Sequence, residues 1–392
     1  MVEVASLYVH IPFCKKRCYY CDFNTVAGND AQIEGYFQAL DAEICHITKQ
    51  SKLLPSIHSL YFGGGTPSYV HEKLIQDLMS NLRNHYDLLP HCEITIEANP
   101  GTLTQQKLDS YRESGFNRLS LGVQSAVDAE LARLGRIHSF ADVRHNVLQA
   151  QEAGFDNISL DLIFGVPGQT MQSWMESLEK ITSLDIQHLS LYSLTIEEGT
   201  PFGEWLADGR LIEVSGDEMA DQYNAAQTWL AEQQFEQYEI SNWRRIDPRK
   251  DFTSRHNCQY WLNEPYYGFG LGAHSCIGGE RLANTDQLSV YLQACTLDST
   301  GKHAVFPACI AVDKIDAFTE MQETMMLGLR LIQQGVSKSR FFRRFGVEMQ
   351  AVFAKEIQDL IRDNLVEWID ADRLCLTSQG ILLGNQAFIK FV

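Results

Sequence analysis

From residue 7 to about 240, short apolar runs alternate with longer stretches in which apolar positions recur every three or four residues. The short runs predict strands at Leu7–Ile11, Ser59–Phe62, Glu93–Glu97, Arg118–Gly122, Asn157–Asp161 and His188–Tyr192. The longer stretches predict helices near Ile33–Thr48, Glu72–Asn84, Gln105–Ser114, Ala141–Ala153 and Trp174–Ser183. Strand and helix in alternation imply parallel strands joined by right-handed crossovers. The predicted fold class is therefore α/β, an open or partial (β/α)6 barrel, with ligands at the carboxyl ends of its strands.

Beyond residue 240 the pattern changes. Gly268, Gly270, Gly272, Gly278 and Gly279 predict a looped cover over 241–315. Helical periodicity returns at Asp316–Ile332, Lys338–Phe345 and Met349–Asn364. Two short strands at Val366–Ile369 and Arg373–Leu376 and a last helix at Ser378–Ile389 complete a small helical, winged-helix-like domain. The expected organisation is a barrel over 1–240, a connecting cover over 241–315 and a C-terminal domain over 316–392.

The 392-residue length suits such a multi-domain chain. With 32 basic against 50 acidic side chains the net charge is -18, which disfavours a nucleic-acid partner. The basic residues Arg343 and Arg344 are flanked by Phe341, Phe342 and Phe345, the pattern of an amphipathic helix. No apolar run is long enough to span a bilayer, and the N-terminus does not read as a secretory signal. Ten cysteines in such a chain indicate a reducing compartment, with thiols serving metals, and so a cytoplasmic location.

Three of those cysteines, Cys14, Cys18 and Cys21, stand together in YVHIPFCKKRCYYCDF with the spacing C-x3-C-x2-C. Three thiolates on one short loop suit three irons of a four-iron, four-sulfur cube, leaving one iron open. A zinc site would need a second ligand pair, and the remaining cysteines are single and scattered. Gly63-Gly64-Gly65-Thr66-Pro67 follows the second strand; its glycines let backbone approach a ligand, although the run also reads as a tight turn. Glu97 suits ribose hydroxyls or a turn cap, Gln124 and Arg136 suit a carboxylate, and Asp161 ends the fifth strand beside a Gly-Pro turn.

The strings YVHIPFCKKRCYYCDF, FGGGTPS, EANPGT, LGVQS, LGRIH and DLIFGVPGQT occur in this order along the chain. With them the sequence resembles the radical S-adenosylmethionine (SAM) superfamily, and within it the coproporphyrinogen-dehydrogenase-like group. The resemblance implies a radical SAM barrel in which Cys14, Cys18 and Cys21 ligate a [4Fe-4S] cluster flanked by Tyr8 and Tyr20. It implies SAM contacts at Gly64, Gly65, Thr66, Glu97, Gln124, Arg136 and Asp161, some of which serve a second SAM in decarboxylating relatives. In this group SAM chelates the open iron, and one electron cleaves its sulfonium to a 5'-deoxyadenosyl radical.

Three features separate this chain from the decarboxylating branch. Phe23 stands where that branch has a further cysteine, only 13 residues precede Cys14, and RHNCQYW runs from Arg255 to Trp261. The last string resembles the signature of the HemW-type haem chaperones. It implies haem b as a ligand, with His256 on the iron and Tyr260 and Trp261 against the porphyrin. Read without the resemblance, His256 and Asn257 cap a loop while Tyr260 and Trp261 fill the core. The function expected is haem delivery to an acceptor haemoprotein such as a membrane-associated respiratory enzyme, with cluster and SAM gating release or supporting a homodimer. Oxygen-independent coproporphyrinogen III oxidation and radical methylation are the competing activities.

Overall fold

The computed structural model describes residues 4–51, 54–296 and 303–392. Six strands follow the expected alternation: β1 (Val4–Ile11), β2 (Ser56–Gly64), β3 (Asp87–Ala98), β4 (Arg118–Gln124), β5 (Ile158–Phe164) and β6 (His188–Ser193). Each pairs in parallel with the next. The crossovers include the helices Ile33–Gln50, Glu72–His85, Gln105–Glu113, Phe140–Glu152 and Met171–Thr182. Several start on a side-chain cap: the Ser139 hydroxyl accepts from the Asp142 N–H, and that of Thr170 from the Ser173 N–H.

Every second strand residue is apolar and buried: Ala5, Leu7, Val9 and Ile11 on β1, Leu119, Leu121 and Val123 on β4, Ile158, Leu160 and Leu162 on β5. They join helix residues such as Phe37, Leu40, Ile44 and Leu178 in one hydrophobic core. The alternate residues are Ser6, Tyr8 and His10 on β1, Ser59, Tyr61 and Gly63 on β2, Glu93, Thr95 and Glu97 on β3. On β4 to β6 they are Arg118, Ser120, Gly122, Ser159, Asp161, His188, Ser190 and Tyr192. Two periods of two thus run out of phase, an oily set under the helices and a polar set on the concave side.

Among the described residues, the segment expected as a looped cover carries five strands and two helices between its loops. β7 (Phe235–Glu239) and β8 (Asn242–Arg245) extend one edge, and β9 (Tyr266–Phe269), β10 (His274–Ile277), β11 (Glu280–Asn284) and β12 (Cys309–Lys314) extend the other. Among the described residues the sheet has 12 strands in the order β12-β11-β10-β9-β1-β2-β3-β4-β5-β6-β8-β7. Gly268 lies within β9, Gly270 and Gly272 follow it in the turn to β10, and Gly278 and Gly279 make the turn from β10 to β11; the last four have positive φ. Buried Glu43 fastens this extension to the first helix. Its carboxylate accepts from the Gly270 N–H (2.8 Å), the Tyr291 hydroxyl (2.8 Å) and the Asn284 amide (2.6 Å).

The C-terminal region has its own core, built on Met325, Leu329, Phe341, Met349, Ile357, Leu360 and Leu374. Its strands β13 (Val336–Ser337), β14 (Val366–Trp368) and β15 (Arg373–Leu376) form a three-stranded antiparallel sheet with β15 in the middle. Two expected helices are each broken in two. Phe353 interrupts Met349–Val352 and Ala354–Arg362, turning its ring edge-on to Phe391 at 5.5 Å. Leu383 interrupts Ser378–Leu382 and Gly384–Phe388.

Candidate functional site

The concave side of the sheet encloses a cavity of about 450 Å³. Tyr61, Gly64, Glu97, Arg118, Ser120, Gly122, Gln124, Asp161, Ser190 and Tyr192, from five successive strands, line it, so the sheet curls around it. Its mouth carries Cys14, Cys18 and Cys21 together with Tyr20 and Phe23. The loop is anchored from behind by His10, whose Nε2–H donates to the Asn24 carbonyl (2.9 Å), leaving Nδ1 to accept from the Tyr8 hydroxyl (3.0 Å).

All three cysteines are free thiols and partly exposed. The Cys14 sulfur meets the Thr66 hydroxyl at 3.4 Å, and Arg136 Nη1 donates to the Cys18 sulfur at 3.4 Å. Burial pushes the Cys14 thiol up to about 11. Metal binding must therefore displace its proton. Among the described residues no three donors converge as a single ion requires. A cube takes each thiolate on a different iron, and three cysteines on one loop supply that donor set.

The glycine loop is held against this site. Gly64 has φ of 111°, and a Cβ there would lie 2.5 Å from the His10 ring. A Cβ on Gly65 would strike the Pro12 carbonyl. Both positions thus exclude side chains where the loop packs against β1 and the residue that follows it. Gly64→Ala is expected to lower stability by about 1–3 kcal/mol, read as a shifted urea midpoint of the metal-free protein. An unchanged midpoint would mean that the loop can move aside.

Glu97 accepts from the Tyr61 hydroxyl (2.7 Å) and the Gly64 N–H (3.1 Å), and burial pushes its carboxyl up to about 7. Asp161, also raised by burial, accepts from the Ser120 hydroxyl at 3.3 Å. Arg136 bridges the elements: Nη2 donates to the Gly122 carbonyl (2.6 Å) and to Asn99 (2.5 Å). Gln124 has φ of 71°, a left-handed backbone on a residue with a Cβ, beside a register break between β4 and β5. Strained backbone of this kind clusters at functional sites. Carboxylates, guanidinia, hydroxyls and glycine backbone in one walled space suit a zwitterionic ligand bearing hydroxyl groups.

Of the expected residues, Cys14, Cys18, Cys21, Tyr20, Gly64, Gly65, Thr66, Glu97, Gln124, Arg136 and Asp161 line this one cavity. Tyr8 lies behind the wall, its ring stacked 6.3 Å from that of Tyr61. His256, Tyr260 and Trp261 do not line it. They lie on the helix Arg255–Trp261, which packs against β2. His256 is 2% exposed, with Nδ1 3.0 Å from the Ser59 hydroxyl and Nε2 3.0 Å from that of Tyr260. Neither ring nitrogen is free for iron, and burial, the largest cause, holds its pKa down at about 3. Trp261 stacks under the guanidinium of Arg330 from the C-terminal region at 4.1 Å. His256, Tyr260 and Trp261 are thus engaged in packing, as the alternative reading of the string has it, and Asn257 is its residue at the cavity.

Sequence reasoning missed Tyr61, Arg118, Ser120, Ser190 and Tyr192. Arg118 is buried, donates to His188 Nδ1 (3.2 Å), and its Nε has no partner among the described residues. The signal was present as the polar alternate positions within the strands.

Residues 8–181 match the radical SAM superfamily, and residues 315–383 match the HemN C-terminal domain. Heme chaperone HemW of Bacillus subtilis is 36% identical over 99% of both chains. Heme chaperone HemW of Lactococcus lactis is 35% identical over 99% of this chain and 97% of its own. The mouse mitochondrial radical S-adenosyl methionine domain-containing protein 1 is 32% identical over 92% of this chain and 81% of its own. Among solved structures, coproporphyrinogen III oxidase (HemN) from Escherichia coli superposes with a TM-score of 0.85 at 24% identity, covering 100% of this chain and 90% of that one. That likeness extends the fold through barrel and C-terminal region.

Proposed function

Since this chain belongs to the HemW family of radical SAM proteins, we propose that it is a haem chaperone. It binds haem b and a SAM-bound [4Fe-4S] cluster, and delivers haem to acceptor haemoproteins such as membrane-associated respiratory enzymes. Cys14, Cys18 and Cys21 hold the cluster. Gly64, Gly65, Thr66, Glu97, Gln124, Arg136 and Asp161 hold SAM, with Tyr8 and Tyr20 as supports. When bound, the cluster supplies an electron and an open iron; the chain supplies placement and a walled cavity. It acts in the cytoplasm, through a barrel over 1–240, a connecting segment over 241–315 and a C-terminal domain over 316–392; no described helix is long and apolar enough to cross a membrane.

The observation that carries this reading is the three-thiol loop at the mouth of a polar cavity, with Phe23 two residues past Cys21 and 65% exposed. Phe23 gives the loop an apolar face where the decarboxylating branch would have sulfur.

The test is paired. Anaerobically reconstituted protein is titrated with haem by absorption spectroscopy and assayed for decarboxylation of coproporphyrinogen III. Saturable haem binding without decarboxylation is expected; turnover of the porphyrinogen would reverse the assignment. His256→Ala resolves the haem ligand in the same titration. With both nitrogens already engaged, it is expected to lower stability by about 2 kcal/mol and leave the haem spectrum unchanged. A shifted Soret band at unchanged stability would restore His256 as ligand.

A further inference from the structure

The string RHNCQYW forms a seven-residue helix that is held at both ends. At its start the Glu93 carboxylate of β3 accepts from the N–H groups of Arg255 (3.2 Å) and His256 (3.0 Å), and Asn257 faces the cavity. At its end the C-terminal region takes over. Arg344 donates to the Asn263 carbonyl at 2.7 Å, the Asn263 amide donates to the Thr324 hydroxyl at 3.2 Å, and Arg340 pairs with Glu264. The Arg330 guanidinium lies over Trp261 at 4.1 Å and over Phe388 of its own core at 5.9 Å. Arg330 also reaches behind the cavity wall. It faces the wholly buried Glu239 of β7 at 4.0 Å, and its charge acts on Tyr192, which lines the cavity. This contact is incompletely satisfied. Arg330 Nε, Trp261 Nε1, Glu239 Oε2 and Asn242 Oδ1 are buried and have no hydrogen-bond partner among the described residues. A charge pair that is desolvated but not hydrogen-bonded contributes little net stability, so the contact is poised between closed and open.

From this placement we propose that the helix Arg255–Trp261 couples the cavity to the C-terminal region, so that SAM seated against Asn257 and Tyr192 closes the Trp261–Arg330–Glu239 contact. The proposal rests on the SAM reading above. Asn257 and Trp261 are four residues apart, so they share one face of the helix, about 6 Å from each other along its axis. A push on the first therefore moves the second. Tyr192 carries the same effect to Arg330 by a second route. The element with two states is the contact itself, and both sites bias it. Such coupling is reciprocal: the factor by which SAM favours docking of the C-terminal region is the factor by which docking favours SAM. Arg330 is on this account a positioning residue, acting on the cavity wall through Trp261 and Tyr192. The string that packs in the core thereby gains a role that needs no ligand on His256.

The test is hydrogen–deuterium exchange of the anaerobically reconstituted protein with and without SAM, read by mass spectrometry and paired with SAM affinity from calorimetry. In the wild type, SAM is expected to slow exchange about fivefold over 258–264 and 325–333, and to leave the helix Ala354–Arg362 within about twofold. Arg330→Met is expected to weaken SAM binding about fivefold and to abolish the slowing over 325–333. Arg362→Met, at an arginine 69% exposed in the same region, is expected to stay within about twofold of the wild type. Exchange over 325–333 that SAM leaves unaltered in the wild type overturns the proposal, and needs no variant. Slowing that extends equally to Ala354–Arg362 is general stabilisation and also overturns it, as does an unchanged SAM affinity in Arg330→Met. A wild type that binds no SAM shows that the cavity reading itself has failed, and this proposal with it. SAM that protects 61–66 but not 325–333 sinks the coupling alone.

Discussion

Cys18→Ala is expected to yield folded protein without an iron–sulfur cluster. The Cys18 sulfur is partly exposed, and its one hydrogen bond among the described residues is to Arg136. Its removal therefore opens no core cavity, and the far-ultraviolet circular dichroism should match the wild type. The loss of iron and acid-labile sulfide should exceed the roughly 10–100-fold cost of removing even an outer-shell partner of a metal site. Cys14→Ala and Cys21→Ala should behave alike. Cys45→Ala, on the helix Ile33–Gln50 away from the cavity, should keep the cluster. Equal cluster content in Cys18→Ala and Cys45→Ala would remove the ligand assignment.

The second large effect is a pH dependence of stability. Glu43 is fully buried, and burial pushes its carboxyl from 4.5 to about 7. Its hydrogen bonds to Tyr291, Gly270 and Asn284 offset only part of that push. A carboxyl whose pKa is raised on folding favours the native state while protonated. Its contribution is complete below the unfolded pKa and is lost as pH climbs through the folded value. Between pH of about 4.5 and about 7 the loss amounts to about 3 kcal/mol for Glu43. Glu97, raised to a similar value, adds to the same window in the ligand-free protein. Urea unfolding of wild type and Glu43→Gln at the two ends of the window isolates the Glu43 share. The wild type should lose stability relative to the variant as pH rises; parallel curves would show that Glu43 does not titrate there. The comparison is of slopes, so any constant offset from placing an amide against Asn284 does not affect it.

Much of the site could be read from the chain because its chemistry is local. The cysteine spacing, the glycine run and the strand-end residues Glu97 and Gln124 need only the rule that parallel strands present ligands at their carboxyl ends; Asp161, expected to end its strand, lies in the middle of β5 on the polar phase. All of them line one cavity. The inner wall was less legible because the strands were read as apolar runs. Ser59, Tyr61 and Arg118 alternate with Leu60, Phe62 and Leu119, and only the curl of the sheet makes the polar phase an interior. His256 illustrates the opposite case. A histidine in a string with an aromatic pair suits haem chemically. Its commitment to Ser59 and Tyr260 depends on contacts 197 and 4 residues away, and the first cannot be read from the string. The strands of the connecting segment were not legible because glycine density signals turns but not whether the stretches between them pair. β9 pairs because β1 offers it a free parallel edge.

The central claim is a cluster held by three cysteines with one iron left for SAM. The measurement that meets it most directly is electron paramagnetic resonance of the anaerobically reconstituted, reduced protein before and after SAM is added. The account predicts a reduced [4Fe-4S] signal whose shape changes on addition of SAM. A protein with no such signal, or with one that SAM leaves unaltered, would contradict it.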